Sequence, residues 1–161
     1  MKITIENSPI LLKPSLVLIP NNVIDYLDSK VKSYKKLNLS SANYQERIGV
    51  LTGFETIKTD VDCGGYCDVW NKKIALADFS DKVFLHEISH AFQMDLGYFD
   101  NNETLISQSI KSEQQCESMA RYLYEKINNK SGDKIFTTYF STEDMNWLAN
   151  WYGDFRENDI L

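Results

Sequence analysis

The chain has 161 residues, of which 43% are hydrophobic and 25% charged, a composition typical of a globular protein with a sizeable core. This length predicts a single domain over residues 1–161. The formal charge of −6, without a cluster of lysine and arginine, argues against a nucleic-acid partner, because phosphate binding needs a basic surface. The sequence has no apolar run of the roughly 18 residues that a membrane span needs and no signal-peptide core, which favours a cytoplasmic location.

The first half of the chain predicts short strands around one helix. Asn21 or Asn22 can cap that helix, and Asn71 tolerates the positive φ of a tight hairpin turn. The expected elements are, in order, strands at residues 2–6 and 15–19, a helix from about 21 to 39, a strand at 47–58, and a hairpin of 66–70 and 73–77.

The second half of the chain predicts helices. They run over about 81–96, from about 103 to 128, and over about 142–152. Helices that flank a small sheet make the chain an α+β protein. The three cysteines are an odd count, which does not predict a disulfide framework. Cys63 and Cys67 are therefore expected to be free thiols, unless the protein is exported and a local disulfide forms.

Both histidines of the chain fall within one stretch, His86-Glu87-Ile88-Ser89-His90, which is an H-E-x-x-H motif. On a helix, residues four apart share one face with about 5–6 Å between their side chains, so His86 and His90 can ligate one Zn²⁺. Glu87 lies one residue after the first ligand, where it can take a proton from the water that zinc activates.

The surrounding sequence predicts the helix that this motif requires. Ser80 and Asp81 are suitable N-cap residues. Apolar side chains follow at helical spacing: Phe84, Ile88, Ala91 and Phe92. The histidines flank this stripe, so the helix would bury one side and turn its ligands toward a neighbouring surface. The alternative is an ordinary amphipathic helix whose two polar residues happen to be histidines.

Two glutamates interrupt the apolar side of the next helix. Glu113 and Glu117 share a line with residues that are apolar or partly apolar, namely Ile106, Ile110, Ala120, Tyr124 and Ile127. Burying a carboxylate without a cation is costly in free energy. A zinc ion held by the two histidines would supply that cation. An ion pair with Arg47 or Arg121 is the alternative.

The spacing leaves open which of the two glutamates is the ligand, because they share one helix face. A catalytic zinc takes three protein ligands and keeps a fourth position open. A ligating histidine commonly donates its other ring N–H to a carboxylate. One glutamate as ligand and the other as that acceptor would satisfy both requirements.

Residues 64–125 resemble the gluzincin zinc metallopeptidases, with the histidine motif as the specific part. In many of them a small residue at +3 and a polar or acidic one at +4 follow the ligand glutamate, as in Glu113, Cys116 and Glu117. The resemblance implies Glu113 as third ligand, with Glu117 behind a ligating histidine or as the alternative ligand. It also implies a minimal zincin-like fold, whose small mixed sheet has an edge hairpin packed on the motif helix. Residues 73–77 would be the edge strand to which a peptide substrate adds.

The resemblance implies a zinc-dependent metallopeptidase that acts on a protein or peptide substrate. Larger members stabilise the oxyanion with a third histidine, which this chain lacks, and Tyr98, Tyr124 or Tyr139 could replace it. One rival is a zincin-like protein that holds zinc as a binding or structural module without turnover. A second rival is a metal-free helical protein of an assembly. The intact Glu87 favours the enzyme.

Overall fold

The computed structural model describes residues 11–12, 19–38, 43–58, 64–77, 79–98, 105–137 and 140–141. The elements are, in chain order, β1 (Leu11–Leu12), α1 (Asn21–Lys35), α2 (Tyr44–Thr52), β2 (Glu55–Lys58), β3 (Gly65–Asp68), β4 (Lys73–Leu76), α3 (Asp81–Asp95), α4 (Leu105–Asn128) and β5 (Phe140–Ser141). These helices with a small mixed sheet confirm the predicted α+β class. Among the helices described, none combines the length and the apolar character needed to cross a membrane.

A three-stranded sheet packs against α3, with the strand order β2–β4–β3. β4 pairs antiparallel with β3, which confirms the predicted hairpin. The residue at positive φ in its turn is Lys72 (55°) rather than an asparagine. The expectation that residues 73–77 form the sheet edge is wrong, because β2 pairs in parallel along the other side of β4. Among the described strands, β3 is the outer strand of the hairpin. A separate antiparallel pair joins β1 to β5.

Gly65 lets β3 approach its neighbours closely. It pairs with Leu76 in the ladder between β3 and β4. A Cβ atom at this position would lie 2.6 Å from the carbonyl oxygen of Ala75 and 3.1 Å from Val83 Cγ1. Because Val83 belongs to the first turn of α3, the missing side chain sets how closely the hairpin and this helix pack.

The strand predicted over residues 47–58 is wrong in its first part, where the chain forms α2 instead. Asn43 caps this helix by accepting a hydrogen bond from a backbone N–H at 2.8 Å, and Gly53 ends it in the left-handed conformation (φ 74°). Its buried side chains recur at helical spacing: Ile48 and Leu51. Only residues 55–58 form a strand.

The helix that carries the histidine motif lies at the centre of the core. The Ser80 side chain caps α3 by accepting a hydrogen bond from the backbone N–H of Val83, and Gly97 follows its end at positive φ (84°). The predicted start and end of this helix are therefore confirmed. α3 packs against α4, α2, β3 and β4. The core draws side chains from all of the α-helices and from β4: Val23, Leu27, Ile48, Ile74, Leu76, Phe84, Ile88, Phe92, Met119 and Leu123.

The remaining predictions concern α1, the cysteines and the two ends of the chain. The helix predicted from residue 21 is confirmed as α1, but Pro20 occupies its N-cap position, so the predicted asparagine cap is wrong. Cys67 is a free thiol, as predicted. The strand at 2–6, most of the strand at 15–19, the helix at 142–152 and Cys63 lie outside the described residues.

Candidate metal centre

α3 presents both histidines of the motif on one face. The ring centroids of His86 and His90 lie 5.1 Å apart, and the rings are nearly perpendicular at 79°. This proximity is what the i, i+4 spacing predicts. Phe84 and Ile88 hold the other side of the helix in the core. Packing therefore fixes the face on which the imidazoles stand.

One carboxylate from α4 bridges the two imidazoles. Glu113 Oε2 lies 2.7 Å from His86 Nε2, and Glu113 Oε1 lies 2.9 Å from His90 Nε2. Each of the three side chains offers a ligand atom, and these atoms all lie within 4.8 Å of one another. His86, His90 and Glu113 are therefore near enough to one another to bind a metal ion.

Glu117 lies one helical turn after Glu113, on the other side of the first imidazole. Its Oε1 atom is 3.0 Å from His86 Nδ1, the ring nitrogen that does not contact Glu113. The pair is within ion-pair distance, but it is not aligned as a hydrogen bond, since Nδ1 has no hydrogen-bond partner among the described residues. Glu117 therefore supports the ring from behind and does not join the group of three.

The two glutamates are less buried than the apolar line along α4 predicts. The side chain of Glu113 is 54% exposed and that of Glu117 is 17% exposed. The predicted burial of Glu113 is therefore wrong. The buried face of α4 is centred on neighbouring positions: Cys116, Met119, Ala120 and Leu123. Glu113 lies at the rim of the site, where its oxygens contact the histidines while part of its side chain remains exposed to solvent.

The arginines named as alternative partners bind other groups in the described part of the chain. Arg121 contacts Asp133 and lies 3.6 Å from Glu125. Arg47 donates a hydrogen bond to the hydroxyl of Tyr34 at 3.3 Å. In the described part of the chain, the groups that pair with Glu113 and Glu117 are therefore the two histidines.

His86 and Glu113 stabilise each other's charged forms. Burial alone would lower the pKa of His86, but its interactions with the carboxylates of Glu113 and Glu117 raise it to about 10. Burial alone would raise the pKa of Glu113, but the hydrogen bonds from His86 and His90 hold it well below its usual range. A metal ion at this site would compete with the proton on His86, so its binding is expected to weaken as the pH falls.

Glu87 is buried beside the two histidines. Its residue is only 7% exposed, and this burial raises the pKa of its carboxyl, against the lowering effect of His90 and His86. Its Oε2 atom has no hydrogen-bond partner within the described residues. A buried carboxylate with a raised pKa, close to both imidazoles, is chemically suited to accept a proton near neutral pH.

A hydrogen-bonded group that the sequence analysis did not single out contacts the second histidine. Gln93 Oε1 lies 3.1 Å from His90 Nδ1. Gln93 also donates to Gln115 Oε1 at 2.7 Å and accepts from the thiol of Cys116 at 3.1 Å. The only signal in the sequence is the position of Gln93, three residues after His90 on the same helix face.

The tyrosines considered as oxyanion stabilisers are directed elsewhere where they are described. Tyr124 is buried in the core, about 10 Å beyond Glu117 along the helix axis. The side chain of Tyr98 forms a hydrogen bond with Asn22 at the start of α1. Tyr139 lies outside the described residues.

No protein-family model, curated protein or solved structure matches this chain. The case for a metal centre therefore rests on the motif and on the geometry of the site. Two imidazole nitrogens and one carboxylate oxygen are donors that Zn²⁺ accepts, so the residues present fit this ion.

Proposed function

We propose that this chain is a zinc-dependent metallopeptidase that hydrolyses peptide bonds. The observation that carries the proposal is the group formed by His86, His90 and Glu113, with Glu87 buried beside it. Two imidazoles and one carboxylate are the ligand set of several zinc peptidases, and three protein ligands leave a position open for substrate or water. Bound zinc polarises a carbonyl and lowers the pKa of a water ligand to about 7.

Glu87 is the general base in this proposal. Its carboxylate accepts a proton from the attacking water and passes it to the amine that leaves. Burial raises the pKa of the Glu87 carboxyl, which brings it closer to the pH at which the proton must be both accepted and released. His90 and His86 oppose this shift, and a bound zinc ion would oppose it in the same direction because it is also positively charged.

The outer strand of the hairpin is where we expect a peptide substrate to add. β3 packs against α3, the helix that carries the histidines, and it is antiparallel to β4. An extended peptide can extend a sheet through main-chain hydrogen bonds. This assignment replaces residues 73–77, which lie in the centre of the sheet.

The alternative function is a protein that binds zinc as a binding or structural module without turnover. Such a protein would need His86, His90 and Glu113 but not a buried general base. The buried Glu87 carboxylate, with one oxygen outside any described hydrogen bond, favours the enzyme. A purely structural zinc site is also commonly closed by four protein ligands.

The experiment compares wild type with Glu87→Gln, both loaded with zinc, on a denatured cell extract whose new N-termini are identified by mass spectrometry. Many sequences are then offered at once, so a narrow specificity does not hide the activity. Wild type should produce new termini, and Glu87→Gln should lose about 10²–10⁴-fold in rate. Equal zinc content in both proteins is the control. New termini produced equally by both would refute the role of Glu87, and no cleavage by zinc-loaded wild type would favour the binding module.

A further inference from the structure

We propose that Gln93 is a positioning residue that fixes the ring tautomer of His90, an inference that rests on the proposed zinc site. Gln93 lies on α3 and is 1% exposed. Its Oε1 atom is 3.1 Å from His90 Nδ1, while His90 Nε2 is 2.9 Å from Glu113. The two ring nitrogens thus face different groups, an amide oxygen at Nδ1 and a carboxylate oxygen at Nε2.

A histidine ligand must offer a ring nitrogen without a proton. A neutral imidazole carries a single N–H. An acceptor beside one ring nitrogen holds the proton there, so the other nitrogen keeps a free lone pair that can bind a metal ion. Once a metal ion had taken the Glu113 oxygen as a ligand, Gln93 Oε1 would keep the proton of His90 on Nδ1, and Nε2 would be the nitrogen available to the ion. Without this acceptor the proton could move to Nε2 and block the site.

Two contacts from α4 favour the observed orientation of the Gln93 amide. An amide that turned by 180° would present its NH₂ group to His90 and would favour the wrong tautomer. In that orientation the oxygens of Gln93 and Gln115 would face each other, because Gln115 Oε1 now accepts from Gln93 Nε2 at 2.7 Å. The Cys116 thiol would also lose the oxygen to which it now donates. Gln115 and Cys116 belong to α4, which also carries Glu113.

A neutral acceptor suits the position behind His90. The site already contains the carboxylates of Glu87, Glu113 and Glu117, and the last of these lies behind His86. A further buried carboxylate would add negative charge without any cation of its own. An amide supplies the same hydrogen bond to the ring without that charge.

The test compares three variants for zinc affinity by competition with a chelator. Gln93→Leu removes the acceptor with little change in volume and should weaken zinc binding roughly 10–100-fold. Gln93→Glu keeps an oxygen beside His90 Nδ1 and should bind zinc much more tightly than Gln93→Leu. Ser89→Ala is the matched control, because Ser89 is buried on the same helix and donates to the carbonyl of Leu85 instead. Wild-type affinity in Gln93→Leu, or an equal loss in Gln93→Leu and Gln93→Glu, would overturn the proposal.

A second measurement does not depend on zinc. In metal-free Glu113→Ala, ¹⁵N NMR of the two imidazoles reports which nitrogen of neutral His90 carries the proton. Glu113 is removed here because its Oε1 would itself hold a proton on Nε2. We expect the proton on Nδ1, and a shift toward Nε2 when Gln93→Leu is added; a proton on Nε2 with Gln93 intact would overturn the proposal. If the wild-type protein failed to bind zinc, the proposed function would be refuted. The proton position on His90 measured by NMR would still test whether Gln93 fixes the ring tautomer.

Discussion

At the scale of single residues, the two glutamates of α4 differ in which atoms they contact. Glu113 reaches the Nε2 atoms of both His86 and His90, whereas Glu117 contacts only His86 Nδ1. In the proposed metal centre, the group shared by both imidazoles is the one expected to serve as third ligand. The group behind one ring can only orient that ring and strengthen it as a donor.

This difference predicts unequal losses when each carboxylate becomes an amide. Glu113→Gln should weaken zinc binding more than Glu117→Gln, because a carboxamide is a poor ligand for zinc. Glu117→Gln should cost roughly 10–100-fold in zinc affinity, as expected for a group behind a ligating histidine. A competition titration with a chelator ranks the two variants. The reverse order would transfer the third ligand position to Glu117.

The sequence predicts the residues of the motif better than it predicts their partner. His86, Glu87 and His90 lie within one helical turn, so helix geometry alone brings them together. Which of Glu113 and Glu117 faces Nε2 depends on the rotation of α4, which its buried side chains set against distant parts of the core. The spacing therefore identified the pair of glutamates but could not choose between them.

At the scale of elements, two glycines have opposite effects on stability. A side chain at Gly65 would collide with the backbone oxygen of Ala75, where β3 meets β4. Gly49 lies within α2, and a Cβ atom there would meet nothing within 4 Å. The first glycine is needed for close packing, while the second only weakens a helix.

Alanine substitutions should separate these two roles. Gly65→Ala should lower the free energy of unfolding by about 1–3 kcal/mol, as overpacking does in well-packed cores. Gly49→Ala should raise it by roughly 0.5–1 kcal/mol, because alanine favours the helix. Chemical denaturation of the metal-free proteins measures both. A loss of stability in both variants, or in neither, would contradict this assignment.

Local signals determined which elements the sequence could predict. α3 has an N-cap serine, an apolar stripe and a terminal glycine, and all three act as expected. The sequence does not predict α2 because Gly49 and Gly53 give this stretch the pattern of a broken strand, although Asn43 is a suitable N-cap. The central position of β4 could not be predicted, since it depends on parallel pairing with β2, which no local pattern specifies.

At the scale of the whole molecule, the site depends on two helices whose site residues are far apart in the chain. His86 and Glu113 are separated by 27 positions. Besides the apolar core, tyrosine–aspartate hydrogen bonds join the helices in pairs. Tyr26 with Asp95 joins α1 to α3, and Tyr122 with Asp28 joins α4 to α1. Tyr44 with Asp81 joins α2 to α3. The first two of these bonds connect α3 and α4 to the same helix, α1, and no local sequence pattern predicts them.

A metal ion bound to side chains of both helices would link α3 to α4 directly. Without the ion, the links at the site include the contacts of both histidines with Glu113 and the hydrogen bonds of Gln93 with Gln115 and Cys116. The charge of −6 and the exposed carboxylate of Glu113 also favour a cation here over an anion. One bound zinc per chain is therefore the property on which the proposed function depends.

The metal content of the purified protein tests this property most directly. Wild type should carry about one zinc ion per chain, and His86→Ala and His90→Ala should retain much less, because two remaining ligands hold the ion poorly. Ser89→Ala, which changes a buried residue between the two histidines, should retain the full content. Wild-type protein that lacks metal and also fails to bind added zinc would contradict the metal centre and, with it, the peptidase.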